Sequence, residues 1–486
     1  MIYENFDLEI TQHVAAKNAE SFSVRVLDSP AGQQKASAAV SVKLPSDLRA
    51  HVRMLDRRGM DRTHLIALGR QLGDALFPPA VRDLFEASRH RIGAAHGLRI
   101  RLRFDQTAPT TLPWEYAYIP RPEGTLHALD GFLALDRQIS IVRFEVMGHA
   151  PEPREPAQRP LRFVALFSSP ENLEPLRIDH ERSLLERALA HMPALEAEFH
   201  ARAGIDSLLD AFSQPAHVLH FAGHGIFDAT AGAGKGYLVL EDEHHRAVPL
   251  SAERLALALH NRGLRLAVLG ACQSAQRDGI HPWAGVAPAL VRAGIPAVVG
   301  MQFRIFDEST ISFNRHFYHA LLMGQSIDAA VVAGRLAILA RSGEDDRDWG
   351  VPVLYMRSNN GVLFPAAPYA PALKAFDPDL PTMRSLGAPR NSRSTAPQPA
   401  AQLEVPLLKL SAAELHQIKI RLRDVLHGKF TTAELQMLAH DLGVDFEEIV
   451  GQTRLMKALN LVEYLSRRNK LAHLLAAVRR RRPGAL

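Results

Sequence analysis

The chain carries one cysteine, Cys272, just beyond the mostly apolar run Leu264–Leu269 in RLAVLGACQSA. A thiol at the C-terminal end of a strand can face a cleft and act as a nucleophile once a base removes its proton. Upstream, His217–Phe221 in HVLHFAGHG reads as a second strand, and it too ends in a turn of small residues carrying a reactive side chain, His224. Two neighbouring parallel strands would set the imidazole beside the thiol. Imidazole suits that place because it can take the thiol proton and later return one to a leaving amine. Taken singly, Cys272 also fits a packed small hydrophobe and His224 a simple turn histidine.

Other polar clusters point elsewhere. His217, His220 and His224 are close in sequence, and His244, His245 and His281 follow, which raises a metal reading. Residues 217 and 220 differ by an odd number, however, so an extended strand points them to opposite faces, and no second cysteine exists to complete a structural zinc site. The expectation is therefore no metal and no cofactor, with His220 in the core or hydrogen-bonded near the active turn. Gly232, Gly234, Lys235 and Gly236 in TAGAGKGYL lack the spacing of a phosphate-binding loop and precede a strand, not a helix. They read as a connection. Ser274 reads as a cap for the helix after Cys272.

The elements that must position the pair alternate. From Leu161 to about Phe364 the strand candidates LRFVALFS, HVLHF, GYLVLED, LRLAVLG and AVVGMQF are separated by helical patterns at residues 180–191, 205–212, 252–261, 283–293, 309–322 and 327–341. Such alternation is the mark of βαβ units around a largely parallel sheet, and the continuous apolar runs fit strands buried on both faces. Residues 1–155 mix alternating segments, SFSVRVLD and LRIRLRFD, with a helical stretch at 61–94, and PEPREPAQRP then marks a boundary. Residues 366–404 have the composition of a flexible linker. Residues 405–486 read as about five short helices, with capping-box patterns at Ser411–Glu414 and Thr431–Glu434 and periodic Leu459, Leu461, Val462, Leu465, Leu471, Leu474, Leu475 and Val478.

Composition narrows the class. At 486 residues with 47% hydrophobic content the chain can build several cores, and one cysteine excludes an internal disulfide framework. The start, MIYENFDLEI, lacks the basic and apolar regions of a secretory signal, and no run approaches the roughly 18 apolar residues of a membrane span. A cytoplasmic protein without a membrane segment is expected. The 57 basic and 52 acidic residues are mostly intermixed, and with 7% aromatics no basic stripe interleaved with rings appears, which argues against nucleic acid as a partner. The one dense basic cluster, Arg479–Arg482, suits a solvated helix end.

In order, HFAGHG, GYLVLED, LAVLGACQSA and GIPAVVGMQFRIFDESTISFNRHFYHALLMGQSIDAAVVAGR resemble the CHAT branch of the caspase and separase clan of cysteine peptidases, and LPWEYAYIP extends the likeness weakly toward the N-terminus. The resemblance implies that His224 is the general base, that Cys272 is the nucleophile, and that the Gly225 and Cys272 N–H groups form the oxyanion hole. In separase-like enzymes an acidic residue in the segment after a core strand recognises a basic side chain; here that residue is Asp307, which also fits a plain carboxylate at a helix N-terminus. Asp179 is the less favoured candidate. The C-terminal helices resemble effector-associated domains found beside effectors in bacterial conflict systems. These bind a matching domain on another protein.

The expected fold is thus α/β: a caspase-like, mostly parallel sheet flanked by helices (156–365), with an α+β N-terminal region (1–155) and an all-α C-terminal bundle (405–486) after the linker. The expected activity is protein cleavage by a His224–Cys272 dyad through a thioester. The expected partners are a protein substrate and a protein bearing a matching effector-associated domain. A catalytically idle adaptor on the same fold is the rival.

Overall fold

A computed structural model describes residues 1–12, 21–105, 110–121, 128–147, 157–190, 192, 195–228, 235–271 and 283–364, and, nearer the C-terminus, 422, 425–426, 430–442, 444, 454–467 and 471–481. Met1–Ala375 form one compact unit and Phe376–Leu486 a second.

The strands of the first unit are β1 (Ile2–Gln12), β2 (Ser21–Asp28), β3 (Val40–Lys43), β4 (His96–Phe104), β5 (Ile139–Phe144), β6 (Leu161–Phe167), β7 (Leu195–His200), β8 (Val218–Gly223), β9 (Gly225–Asp228), β10 (Lys235–Glu241), β11 (Ala247–Ser251), β12 (Leu266–Ala271), β13 (Ala297–Met301) and β14 (Pro352–Met356). Its helices are α1 (Leu48–Asp56), α2 (Arg62–Leu76), α3 (Pro79–Ile92), α4 (Ile178–Leu189), α5 (Ile205–Ala211), α6 (Ala252–Leu259), α7 (Trp283–Arg292), α8 (Asp307–Leu322) and α9 (Ile327–Ser342). Eleven strands make one sheet in the order β3-β2-β1-β4-β5-β14-β13-β12-β8-β6-β7. Its pairings are parallel except β1–β2, β2–β3 and β13–β14. The α/β architecture, mostly parallel and helix-flanked, follows the sequence pattern.

Strands on either side of the expected boundary at residues 155 and 156 belong to this one sheet, because β5 pairs with β14. Alternation explains the N-terminal half: Leu98, Ile100 and Leu102 of β4 enter the core, while Arg99 and Arg101 on the other face are buried against Asp328 and Asp7. GYLVLED, expected in the parallel sheet, lies elsewhere. Residues Lys235–Glu241 form the middle strand of a separate antiparallel sheet, β11-β10-β9, because the chain leaves the main sheet at Gly223 and starts β9 two residues later. The later strands divide two cores. Val218 and Ala222 of β8, with Leu266 and Val268 of β12, pack toward α4, α8 and α9, while Leu219 and Phe221, with Ala267 and Leu269, pack toward α5, α6 and α7.

In the second unit, α10 (Thr432–Asp441), α11 (Arg454–Arg467) and α12 (Leu471–Arg481) enclose their own apolar core, including Leu435, Leu438, Leu461, Leu465 and Leu474. The capping box at Thr431 forms as its spacing predicts: Glu434 Oε2 accepts from Thr431 N at 2.8 Å and Thr431 Oγ1 accepts from Glu434 N at 3.3 Å. The pattern at Ser411–Glu414 and the linker 366–404 lie outside the described residues.

Candidate active site

His224 is the first residue after β8, at the C-terminal end of the sheet, where open parallel sheets place their ligands. It is 2% exposed. β8 and β12 are parallel neighbours in unbroken register from Val218↔Leu266 to Gly223↔Ala271. One further residue along each strand gives His224 and Cys272. Cys272 itself, with Ser274 and the rest of 272–282, lies outside the described residues.

The imidazole is oriented by main chain. Its Nε2 stands 2.9 Å from the carbonyl oxygen of Glu174. A carbonyl only accepts, so Nε2 carries the proton and Nδ1 is the basic nitrogen. Burial lowers the pKa of His224 below the ordinary histidine value, outweighing the carbonyl and the Glu174 carboxylate, which both raise it. A neutral imidazole with a bare Nδ1 is the form that a general base requires. The turn around it is fixed on both sides: Val239 N donates to His224 O at 3.0 Å, and Ser168 N donates to Ala222 O at 2.9 Å. The Glu174 loop is tied down by Ser169 N to Glu241 Oε1 at 2.7 Å and Ala247 N to Asn172 Oδ1 at 2.8 Å. A β-carbon at Gly223 would stand 2.6 Å from the Phe221 ring and 3.0 Å from Ser168 O, so the loop closes on the strand end only because residue 223 is glycine. Gly225, the expected oxyanion donor, is buried and opens β9 opposite Leu238.

Beneath the turn lies a polar cluster that the sequence reading anticipates only at His220. This residue is fully buried, with Nδ1 2.8 Å from the Tyr318 hydroxyl of α8 and Nε2 3.5 Å from Glu181 Oε1 of α4. Burial, reinforced by Glu181, pushes the Tyr318 hydroxyl well above its ordinary pKa, so it remains a donor. With Tyr318 donating to Nδ1, the ring proton sits on Nε2, on the side of the Glu181 carboxylate but without a hydrogen bond to it. Glu181 also reaches β12, since a β-carbon at Gly270 would stand 3.6 Å from its Oε1. Neither Glu181 nor Tyr318 carries a sequence signal, because a helical glutamate and a helical tyrosine gain this role only from packing.

Asp307 is the first residue of α8, and its side chain lies outside the described part of the structure. The segment leading to it is firmly held. Phe306 N donates to Asp348 Oδ2 at 3.0 Å, Arg58 stacks 3.5 Å over the Phe306 ring, and Arg347 donates to Arg304 O at 2.7 Å. Further back, Gln302 and Arg143 both donate to buried Glu115 at 2.9 Å, which joins LPWEYAYIP to the end of β13. Asp179, on α4, is exposed, its carboxylate 3.9 Å from Arg182. His217 accepts from Arg162 N at 2.9 Å, apart from the contacts of His220. Among the described residues no group of three or more His, Cys, Asp or Glu side chains converges to hold a metal.

A buried histidine stands at the C-terminal end of a helix-flanked, mostly parallel α/β sheet, beside a strand whose next residue in the sequence is a cysteine. Residues 67–377 match the family model for the CHAT domain, and residues 422–483 match that for effector-associated domain 7. The first match takes in well over half of the sequence, and the chain belongs to the CHAT family. No curated protein matches it. Among solved structures it is similar to the Arg-specific cysteine proteinase gingipain R (11% identity, covering 65% of this chain and 75% of that one, TM-score 0.39). It is also similar to the Saccharomyces cerevisiae separase–securin complex (10% identity, covering 72% of this chain and 30% of that one, TM-score 0.39). A third likeness is to the complex of Porphyromonas gingivalis RgpB pro- and mature domains (11% identity, covering 66% and 78%, TM-score 0.38). Among the described residues no helix is long and apolar enough to cross a membrane.

Proposed function

We propose that the chain is a cysteine endopeptidase in which His224 and Cys272 form the catalytic dyad. The observation that supports the proposal is the β8–β12 register, which brings Gly223 level with Ala271, the residues that immediately precede His224 and Cys272 in the sequence. Strand alternation adds to it. Ala222 shares a core with Val218, and Gly270 faces Glu181, the neighbour of His220, and in this reading the period of two continues one residue further, to 224 and 272.

In this reading Nδ1 of His224 takes the Cys272 thiol proton, and the thiolate attacks the scissile carbonyl. The oxyanion meets the N–H groups of Gly225 and Cys272. Collapse breaks the C–N bond as the imidazolium gives its proton to the departing amine, leaving a thioester. Water, deprotonated by the same nitrogen, then releases the acid and restores the thiol. Asp307 lines the pocket for the residue before the scissile bond and selects Arg or Lys. The C-terminal helical unit recruits the peptidase to a partner with a matching domain, raising the local concentration of its target in a bacterial conflict or cell-death response.

A peptide library offered to the wild type, Cys272→Ala and Asp307→Ala tests the assignment. Cleavage after Arg or Lys is expected in the wild type, none in the first variant, and loss of the basic preference in the second. Undiminished cleavage by Cys272→Ala would overturn the dyad, and no cleavage by the wild type, with or without its partner, would favour the idle adaptor. Deleting residues 405–486 is expected to spare small-peptide cleavage and abolish cleavage of the recruited target.

A further inference from the structure

Glu241 is a buried carboxylate with no part in the proposed cycle. It closes the apolar strand β10 at 5% exposure, where an apolar side chain would serve the strand equally well, and burying an ionised group is costly unless something answers it. What answers it belongs to another segment: Ser169 N donates to Glu241 Oε1 at 2.7 Å, and Glu241 Oε2 stands 3.3 Å from His245 Nδ1. A main-chain donor held by a carboxylate makes one of the stronger hydrogen bonds, roughly twice a neutral one.

Ser169 closes the loop that carries Glu174. Its Oγ accepts from Leu176 N at 3.0 Å, so the residue fixed by Glu241 clasps the far end of the loop, and between the two ends Glu174 O accepts the His224 ring proton at 2.9 Å. The hairpin of β10 and β11 supplies further ties. His245 O accepts from Glu171 N and Asn172 Oδ1 accepts from Ala247 N, both at 2.8 Å. The hairpin turn is held by its own bonds: Asp242 Oδ1 accepts from His244 N at 2.9 Å and from Arg246 N at 2.8 Å, and His245 takes a left-handed φ of 57°. Two residues back along β10, Val239 N donates to the His224 carbonyl. β10 thus grips His224 from two sides, the main chain directly and the ring through the loop.

We propose that Glu241 is a positioning residue: through Ser169 it fixes the Glu174 carbonyl against the imidazole, keeps the proton on Nε2 and so leaves Nδ1 bare. The small sheet β11-β10-β9 is then the brace of the His224 turn. A ring released from the carbonyl can carry its proton on either nitrogen, and only one of the two tautomers accepts at Nδ1. The role rests on the reading of His224 as the general base, and its test separates the two.

The test is nitrogen NMR of the full chain with isotope-labelled histidine rings, in the Cys272→Ala background so that no thiol shares the proton, at about pH 8, where an ordinary imidazole is neutral. His224→Gln identifies the His224 signals. Well-separated Nδ1 and Nε2 resonances, with the proton on Nε2, are expected without further substitution. In Glu241→Ala, and in Ser169→Ala, which removes only the Oγ clasp, the two are expected to move toward their mean as the tautomers mix. Glu241→Gln, whose amide oxygen still accepts from Ser169 N, is expected to restore the separation. In the chain that keeps Cys272, Glu241→Ala is expected to lower kcat roughly ten- to a hundredfold with KM within about twofold, as loss of a hydrogen bond to a charged group implies. A proton on Nδ1 at the outset, or unchanged resonances in both alanine variants, would overturn the proposal. So would a lowered kcat with wild-type resonances, or a Glu241→Gln spectrum that matches Glu241→Ala. A chain that cleaves nothing removes the peptidase reading and leaves the resonances to decide this one. Should Glu241→Ala fail to fold, Asn172→Ala, at an exposed position, decides by the same resonances.

Discussion

Replacing Tyr318 with Phe removes one oxygen atom and leaves the ring in place, so it isolates the hydrogen bond to His220. That bond is 2.8 Å long and its imidazole is fully buried between Phe163, Phe167 and Tyr318, so no water replaces the hydroxyl when it is gone. The cost is that of a buried polar atom left unsatisfied, about 1–3 kcal/mol. For a unit of this size that corresponds to a fall in melting temperature of roughly 1–4 °C. All three tryptophans, Trp114, Trp283 and Trp349, lie in the first compact unit, so fluorescence-detected urea unfolding follows it separately from the C-terminal helices. The second arm is a cycle with His220→Phe. If the two side chains are bonded, the double variant costs less than the sum of the singles by about 1 kcal/mol, since both partners of the bond are then absent. Additive effects, or a Tyr318→Phe variant within about 0.5 kcal/mol of the wild type, would refute the reasoning, because the hydroxyl would then be a neighbour of His220 without bonding it.

His224, observed by NMR in the Cys272→Ala background, is expected to titrate below the ordinary histidine value of about 6.5, since burial disfavours its charged form. Its folded pKa being depressed, its contribution to stability is present above the unfolded value and is lost as pH falls through the folded one; a midpoint at or above 6.5 would remove the desolvation argument. Gly73→Ala in α2 sets two effects against each other. Helix propensity favours alanine by about 1 kcal/mol, but the new β-carbon would stand 2.1 Å from the Tyr118 carbonyl oxygen, which is backbone and cannot swing aside. Overpacking wins, and a net loss of about 1–3 kcal/mol is expected in the urea midpoint; an unchanged or raised midpoint would contradict it.

Much of the sheet was legible because buried parallel strands announce themselves as apolar runs, and LRFVALF, VLHFAG, LAVLGA and AVVGM all became strands of the main sheet. LRIRLRF was legible through its alternation. What sequence pattern does not specify is which strand neighbours which. GYLVLE is as apolar as its companions, yet it pairs antiparallel with β9 and β11, a choice made by the turn at Gly223–Gly225 and not by its own composition. β14 was missed because PVLYM is short and opens with proline. It pairs antiparallel with β13 and parallel with β5, and so joins the two halves of the sheet. In the site, His224 and His220 stood out by residue type, whereas Glu181 and Tyr318 take part only because α4 and α8 pack over β8.

The orientation of the His224 imidazole was invisible for a deeper reason. Its proton is held by the carbonyl of Glu174, which every residue type could supply, and its own carbonyl by the N–H of Val239, which every type but proline could supply. No residue-type signal at position 174 or 239 can therefore exist. The signal sits instead at positions that permit the backbone to come close: Gly223, where a β-carbon would strike Phe221 and Ser168, and the loop carboxamide and carboxylate, Asn172 and Glu241, that tie the 168–177 segment to the small sheet. Among the described residues, the imidazole is thus kept in one tautomer without a buried carboxylate partner. An acidic partner would raise the histidine pKa by favouring the imidazolium; a carbonyl fixes the proton on Nε2 with a much weaker pull, so desolvation sets the net direction and favours the neutral imidazole.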